Sequence, residues 1–150
     1  MSYSIDVNLL LYASDTTSPF SPKAAAFLER CSTGPEVLCL AWPTLASYLR
    51  LATHPAIFAS PLSPEDAERN VESLLRLPHV RVVSEQEGFW DIYRETTRGL
   101  AIRDNEVPDA WLAALLRQHD VATLFTNDRG FRKFDFLRVE NPFEGRGEGP

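Results

Sequence analysis

The run Val121-Ala122-Thr123-Leu124-Phe125 is followed without a break by Thr126-Asn127-Asp128-Arg129-Gly130-Phe131. A short apolar run bounded by turn-forming residues reads as a buried strand of the kind found in parallel sheets. The polar cluster then falls at the strand's carboxyl end. The chain opens in the same way, with Tyr3-Ser4-Ile5 leading into Asp6-Val7-Asn8. Open α/β sheets bind ligands outside the carboxyl ends of their strands. Acids from opposite ends of the sequence are therefore expected at one edge of one sheet.

Strand-like runs recur at residues 3–7, 37–40, 80–83 and 122–125, with a weaker one at 137–139, and helical patterns lie between them. Ser21-Pro22 reads as an N-cap and first helical position, with Gly34 beyond that helix's end. Residues 42–53 carry Leu45, Leu49 and Ala52 on one stripe. Ser63-Pro64-Glu65-Asp66 is a further helix start, and Ser84-x-x-Glu87 reads as a capping box ahead of Phe89, Ile92 and Tyr93. Pro108 is expected to start the last long helix, with Trp111, Leu112, Leu115 and Leu116 as its core stripe. Alternating strands and helices indicate one α/β domain, a mostly parallel sheet of four to five strands flanked by helices. The expected domain is 1–143, and the glycine-rich, charged segment 144–150 reads as a disordered tail.

Nothing in the chain approaches the roughly 18 consecutive apolar residues of a membrane span, and the first residues lack a signal-peptide pattern, so a cytoplasmic protein is expected. Cys31 and Cys39 lack metal-ligand spacing and read as small buried hydrophobes. The net charge of −6 argues against non-specific nucleic-acid binding but suits a clustered carboxylate site. His54, His79 and His119 are scattered, and there is no Gly-x-Ser-x-Gly elbow, dinucleotide fingerprint or phosphate-binding loop. Trp42, Trp90 and Trp111 fall on helical stripes and are assigned to core or dimer packing.

Three acids stand out by position. Asp6 lies among apolar residues, where charge is costly unless paired or bound to metal. Asp109 sits in the first turn of the Trp111 helix, and Asp128 follows the fourth strand. Read singly, Asp109 is a carboxylate at its own helix N-terminus and Asp128 a turn or cap residue. Read together, they form a hard-oxygen donor set that favours Mg²⁺ or Mn²⁺ over zinc. Arg103, Arg129, Arg132 and Lys133 flank the acids, placed either to steer a nucleic-acid backbone or simply as solvated surface.

Asp6–Ala13 (DVNLLLYA), Trp42–Pro55 (WPTLASYLRLATHP) and Val107–Phe131 (VPDAWLAALLRQHDVATLFTNDRGF) resemble PIN-domain proteins, specifically the VapC-type toxins of bacterial toxin–antitoxin pairs. The resemblance runs from the first strand to about Phe143. It implies a Mg²⁺-dependent (or Mn²⁺-dependent) endoribonuclease that hydrolyses RNA with a metal-activated water and is neutralised by a cognate antitoxin protein. It also implies that Asp6, Asp109 and Asp128 are the catalytic, metal-binding acids, with Asn8 and Thr126 shaping the site. Two departures stand out: Ser47 occupies the place of a usual Glu, and Gly130 that of a frequent Asp. A Ser47 hydroxyl can still hold a metal-bound water. Asp104 or Glu106 could replace the missing carboxylate, or be solvated loop acids.

Two other functions remain compatible with these residues. A Mg²⁺-dependent phosphatase also uses strand-end Asp, but wants an Asp-x-Asp pair where Asn8 stands. A PIN-like module that lost catalysis with its Glu would bind without cleaving. Exposed apolar helix faces would suit a homodimer.

Overall fold

The computed structural model describes residues 1–144. Five strands, β1 (Ser2–Ile5), β2 (Val37–Ala41), β3 (Val80–Val83), β4 (Thr123–Phe125) and β5 (Arg138–Glu140), form one sheet in the order β3-β2-β1-β4-β5. Every neighbouring pair is parallel. Because β1 is flanked by β2 on one side and β4 on the other, the chain switches direction there, and a crevice opens at the carboxyl ends of these two strands.

Helices cover both faces, which a parallel sheet requires. On one face α1 (Val7–Ser14), α2 (Ser21–Ser32), α3 (Trp42–Ala52) and α4 (Pro64–Leu75) bury Leu9, Phe27, Leu45, Tyr48 and Val71 against Tyr3, Ile5, Leu38 and Leu40. On the other, α5 (Phe89–Thr96), α6 (Glu106–Gln118) and the short 3₁₀ turn Arg129–Lys133 bury Phe89, Leu112, Leu115, Leu116 and Phe131 against Cys39, Ala41 and Leu124. Both cysteines are buried and free, as expected. Gly34 follows α2 at φ +66°, where a Cβ would also strike the His79 ring at 2.3 Å.

Several local expectations are corrected. Val7 is not in the first strand: β1 ends at Ile5 and Asp6 caps α1, its carboxylate accepting from the Val7 N–H at 2.7 Å. Ser21 is inside α2, and Ser18 instead receives the Phe20 N–H. The Ser84 capping box does not form, because Gly88 in a left-handed conformation precedes α5. The Ser84 carbonyl accepts from His119 Nε2 at 2.8 Å. Helix α6 begins at Glu106, so Pro108 stands at its third position, where no intrahelical N–H bond is lost. Trp42 and Trp90 are 50% and 59% exposed rather than core residues. The expected tail lies outside the described residues apart from Glu144, whose N–H bonds the Asn141 carbonyl.

Candidate active site

Asp6 follows β1 directly, and Thr126, Asn127 and Asp128 follow β4. The Asp6 N–H bonds the Phe125 carbonyl at 3.0 Å, which ties the two strand ends together. Thr126 is the hub. Its hydroxyl donates to Asp6 Oδ2 at 2.8 Å and accepts from Asn8 Nδ2 at 3.2 Å and the Asp128 N–H at 3.0 Å. One proton and two lone pairs are thus all used. Since an ionised Asp6 can only accept, the Thr126 proton is committed, and Asn8 must present its amide nitrogen. Its Oδ1 is left buried without a partner among the described residues.

The three acids meet different environments. Asp6 is buried, which raises its carboxyl above the ordinary range; the Thr126 and Val7 bonds oppose this, and Asp128 adds to it. Asp109 lies in the first turn of α6 and is pushed up to about 6, first by burial and then by the charges of Asp6 and Asp128, with Lys133 opposing. Asp128 is exposed and folds back over its own turn, Oδ1 accepting the Gly130 N–H at 2.8 Å. A cavity of about 340 Å³ is lined by Asp6 and Asp109 together with Thr44 and Ser47. Ser47 is contributed to this lining by α3.

The basic residues divide. Lys133 is ion-paired with Glu106, holding that carboxyl below its usual range, and acts electrostatically on Asp109. Arg129 is exposed and 3.6 Å from Glu144. Arg132 lines a separate groove with Arg138 and Glu140. Arg103 is exposed before α6, and Asp104 is exposed at φ 54°. Glu106 is in α6 rather than in a loop, and it is occupied by Lys133.

Among the described residues, no three Asp, Glu, His or Cys side chains stand close enough to hold an ion by themselves. Yet Asp6, Asp109 and Asp128 lie within electrostatic reach of one another, and the Asn8 carbonyl oxygen beside them lacks a donor. An all-oxygen set that is repulsive when empty fits a hard cation held partly through water, as Mg²⁺ prefers. In metal-free buffer the raised Asp109 carboxyl has a definite consequence. Between the unfolded value near 4 and about 6, the folded state binds more protons than the unfolded one, so stability should fall as pH rises through this window. Melting curves from pH 4 to 7 should show that fall, and Asp109→Asn should flatten it.

A family model for the PIN domain matches residues 3–137. The chain belongs to the PIN-domain family. Ribonuclease VapC48 of Mycobacterium tuberculosis is 45% identical over 145 residues, spanning 97% of this chain and all of that protein. Ribonuclease VapC43 of the same organism is 32% identical, with 95% and 96% covered. Within the family, the chain is one of the VapC ribonucleases. Among solved structures, VapBC2 from Rickettsia felis bound to a promoter DNA fragment aligns with a TM-score of 0.66 at 19% identity, covering 94% of this chain and 98% of that one. The sarcin–ricin-loop-cleaving toxin VapC20 of M. tuberculosis aligns at 0.65 and 16%, covering 92% and 98%. These two likenesses show the fold.

Proposed function

We propose that this chain is a Mg²⁺- or Mn²⁺-dependent endoribonuclease, the toxin of a VapBC-type pair, acting in the cytoplasm and held inactive by its antitoxin. The observation that carries the reading is the meeting of Asp6, Asp109 and the Thr126–Asp128 turn at the β1/β4 switch point, under mutual repulsion. Its full-length similarity to the VapC ribonucleases supports the same reading.

Asp6, Asp109 and Asp128 would hold the ion, with Asn8 and Ser47 at its margin. When bound, the ion supplies charge neutralisation at the scissile phosphate and lowers the pKa of a water. The protein's own part is orientation. Thr126 fixes the Asp6 carboxylate and the Asp128 backbone through one hydroxyl, and the helix dipole of α6 favours the ionised form of Asp109 once a cation is present. Arg129 and Arg132, outside the acid cluster, would meet the RNA backbone, since an acidic protein repels RNA at a distance. Trp90, stacked on Tyr93 at 5.5 Å on the outer side of α5, suits a homodimer contact.

Incubation of single-stranded RNA with purified protein and Mn²⁺ tests the reading: cleavage should appear and vanish with chelator. Intact RNA under both conditions favours a binding module that lost catalysis. The Ser47 position gives a second check. Ser47→Glu adds a carboxylate to the cavity that Asp6 and Asp109 line, so calorimetric titration should show tighter Mn²⁺ binding. Unchanged affinity would mean that residue 47 does not reach the ion.

A further inference from the structure

The acid-bearing cavity has a second half that the three carboxylates do not explain. Apart from Asp6, Asp109, Thr44 and Ser47 its lining side chains are apolar, chiefly Val107, Pro108, Trp111 and Leu112 of α6. Its volume of about 340 Å³ lies at the lower end of the range for small-ligand sites. None of its lining side chains is basic, and two are acids, so an anionic phosphate is not what this half accepts. An uncharged group suits this lining better.

The Trp111 indole is held in place from behind. Nε1 donates to Glu85 Oε2 at 2.7 Å, and the ring packs against Phe89 and Tyr93 with centroids 4.8 and 5.4 Å away. An aromatic ring that lines a cavity and is tethered by a hydrogen bond and packed rings is a ready stacking surface that needs little ordering on binding. Val107, 38% exposed, stands one helical turn before it in the same lining. The Thr44 and Ser47 hydroxyls line the same cavity and offer hydrogen bonds to the edge of a flat ring.

We propose that this apolar half is a nucleobase subsite that takes an unpaired RNA base flanking the scissile phosphate, with Trp111 as its stacking wall. The inference rests on the endoribonuclease reading of the acids and adds to it where the strand is gripped. It implies a preference for unpaired RNA, because a base in a helix cannot enter.

The test separates binding from cleavage. Short single-stranded oligoribonucleotides carrying one abasic position, moved stepwise along the sequence, are titrated against the protein in Ca²⁺ with anisotropy as the readout; cleavage is followed separately in Mn²⁺. One position should weaken wild-type binding about five- to a hundredfold when its base is removed, the range for one stacked base. Trp111→Leu should lose a similar factor on the intact oligonucleotide and lose nothing more on that abasic one, and Trp111→Phe should restore most of the affinity. Equal abasic penalties in wild type and Trp111→Leu overturn the subsite. So does an abasic walk in which no position matters, a result that needs no variant to fold. Loss of antitoxin binding in Trp111→Leu with unchanged oligonucleotide affinity assigns the cavity to a protein segment and also overturns it. Coupled binding without any cleavage in Mn²⁺ leaves the subsite standing and removes the nuclease reading.

Discussion

Asp109→Asn is expected to yield a folded protein whose Mn²⁺-dependent cleavage is reduced about a hundredfold to ten-thousandfold. The magnitude follows from the several kcal/mol of charge stabilisation that a well-held divalent ion contributes, at about 1.4 kcal/mol for each factor of ten. Folding should not suffer. Asp109 is raised to about 6 by burial and by Asp6 and Asp128, so its charge opposes the folded state near neutral pH. Removing it should raise the melting temperature in metal-free buffer while lowering activity by that factor.

Asp6→Asn should lose activity equally but behave differently in stability. An asparagine that keeps its oxygen on the Val7 N–H must turn its NH₂ towards Thr126, whose lone pairs already serve Asn8 and the Asp128 N–H. The Thr126 proton is then stranded. A buried unsatisfied group costs about 1–3 kcal/mol, set against the relief of burying one charge fewer. Asp6→Asn should therefore melt below Asp109→Asn. Parallel melting and single-turnover cleavage measure both effects, and wild-type rates in either variant would remove that residue from the site.

The parts of this site that follow strand ends were legible in sequence, because an apolar run that stops at Asp6 or at Thr126–Asp128 marks a sheet edge by composition alone. The hub was not. Thr126 joins Asp6 and Asn8 across about 120 positions, and no local pattern announces which hydroxyl will sit between two strand ends. Helix α1 is not among the helices read from the sequence, where the first strand runs through Val7; the signal lay in Asp6 as a cap. Ser84-x-x-Glu87 has the letters of a capping box, but Gly88 resets the chain before the helix starts. Pro108 was assigned to the first helical position when any place in the first turn tolerates it. Trp42 and Trp90 show the limit of periodicity: a stripe identifies a face, and says nothing of whether that face is covered.

Expression of the wild-type chain alone should arrest growth of a bacterial host, and Asp6→Ala should release it. With a net charge of −6, the protein should repel RNA at long range, so productive encounters depend on bound cations and on Arg129 and Arg132. On the proposed function, removing Asp6 takes away one of the few carboxylates that would hold the ion and should spare the host even if RNA still binds. A cognate antitoxin should have the same protective effect by another route. A segment bringing a basic residue among Asp6, Asp109 and Asp128 would form charge-assisted hydrogen bonds and cancel the repulsion that raises Asp109. The complex should therefore melt well above the free protein in metal-free buffer, since the partner binds only the folded state, and its stability should lose the fall between pH 4 and 6. Growth curves with and without the partner, and melting of the purified complex, measure the two consequences independently. Harmless wild-type expression together with RNA left intact in Mn²⁺ would transfer the chain to the binding-module reading, whereas arrest that survives Asp6→Ala would place toxicity outside the acid cluster altogether.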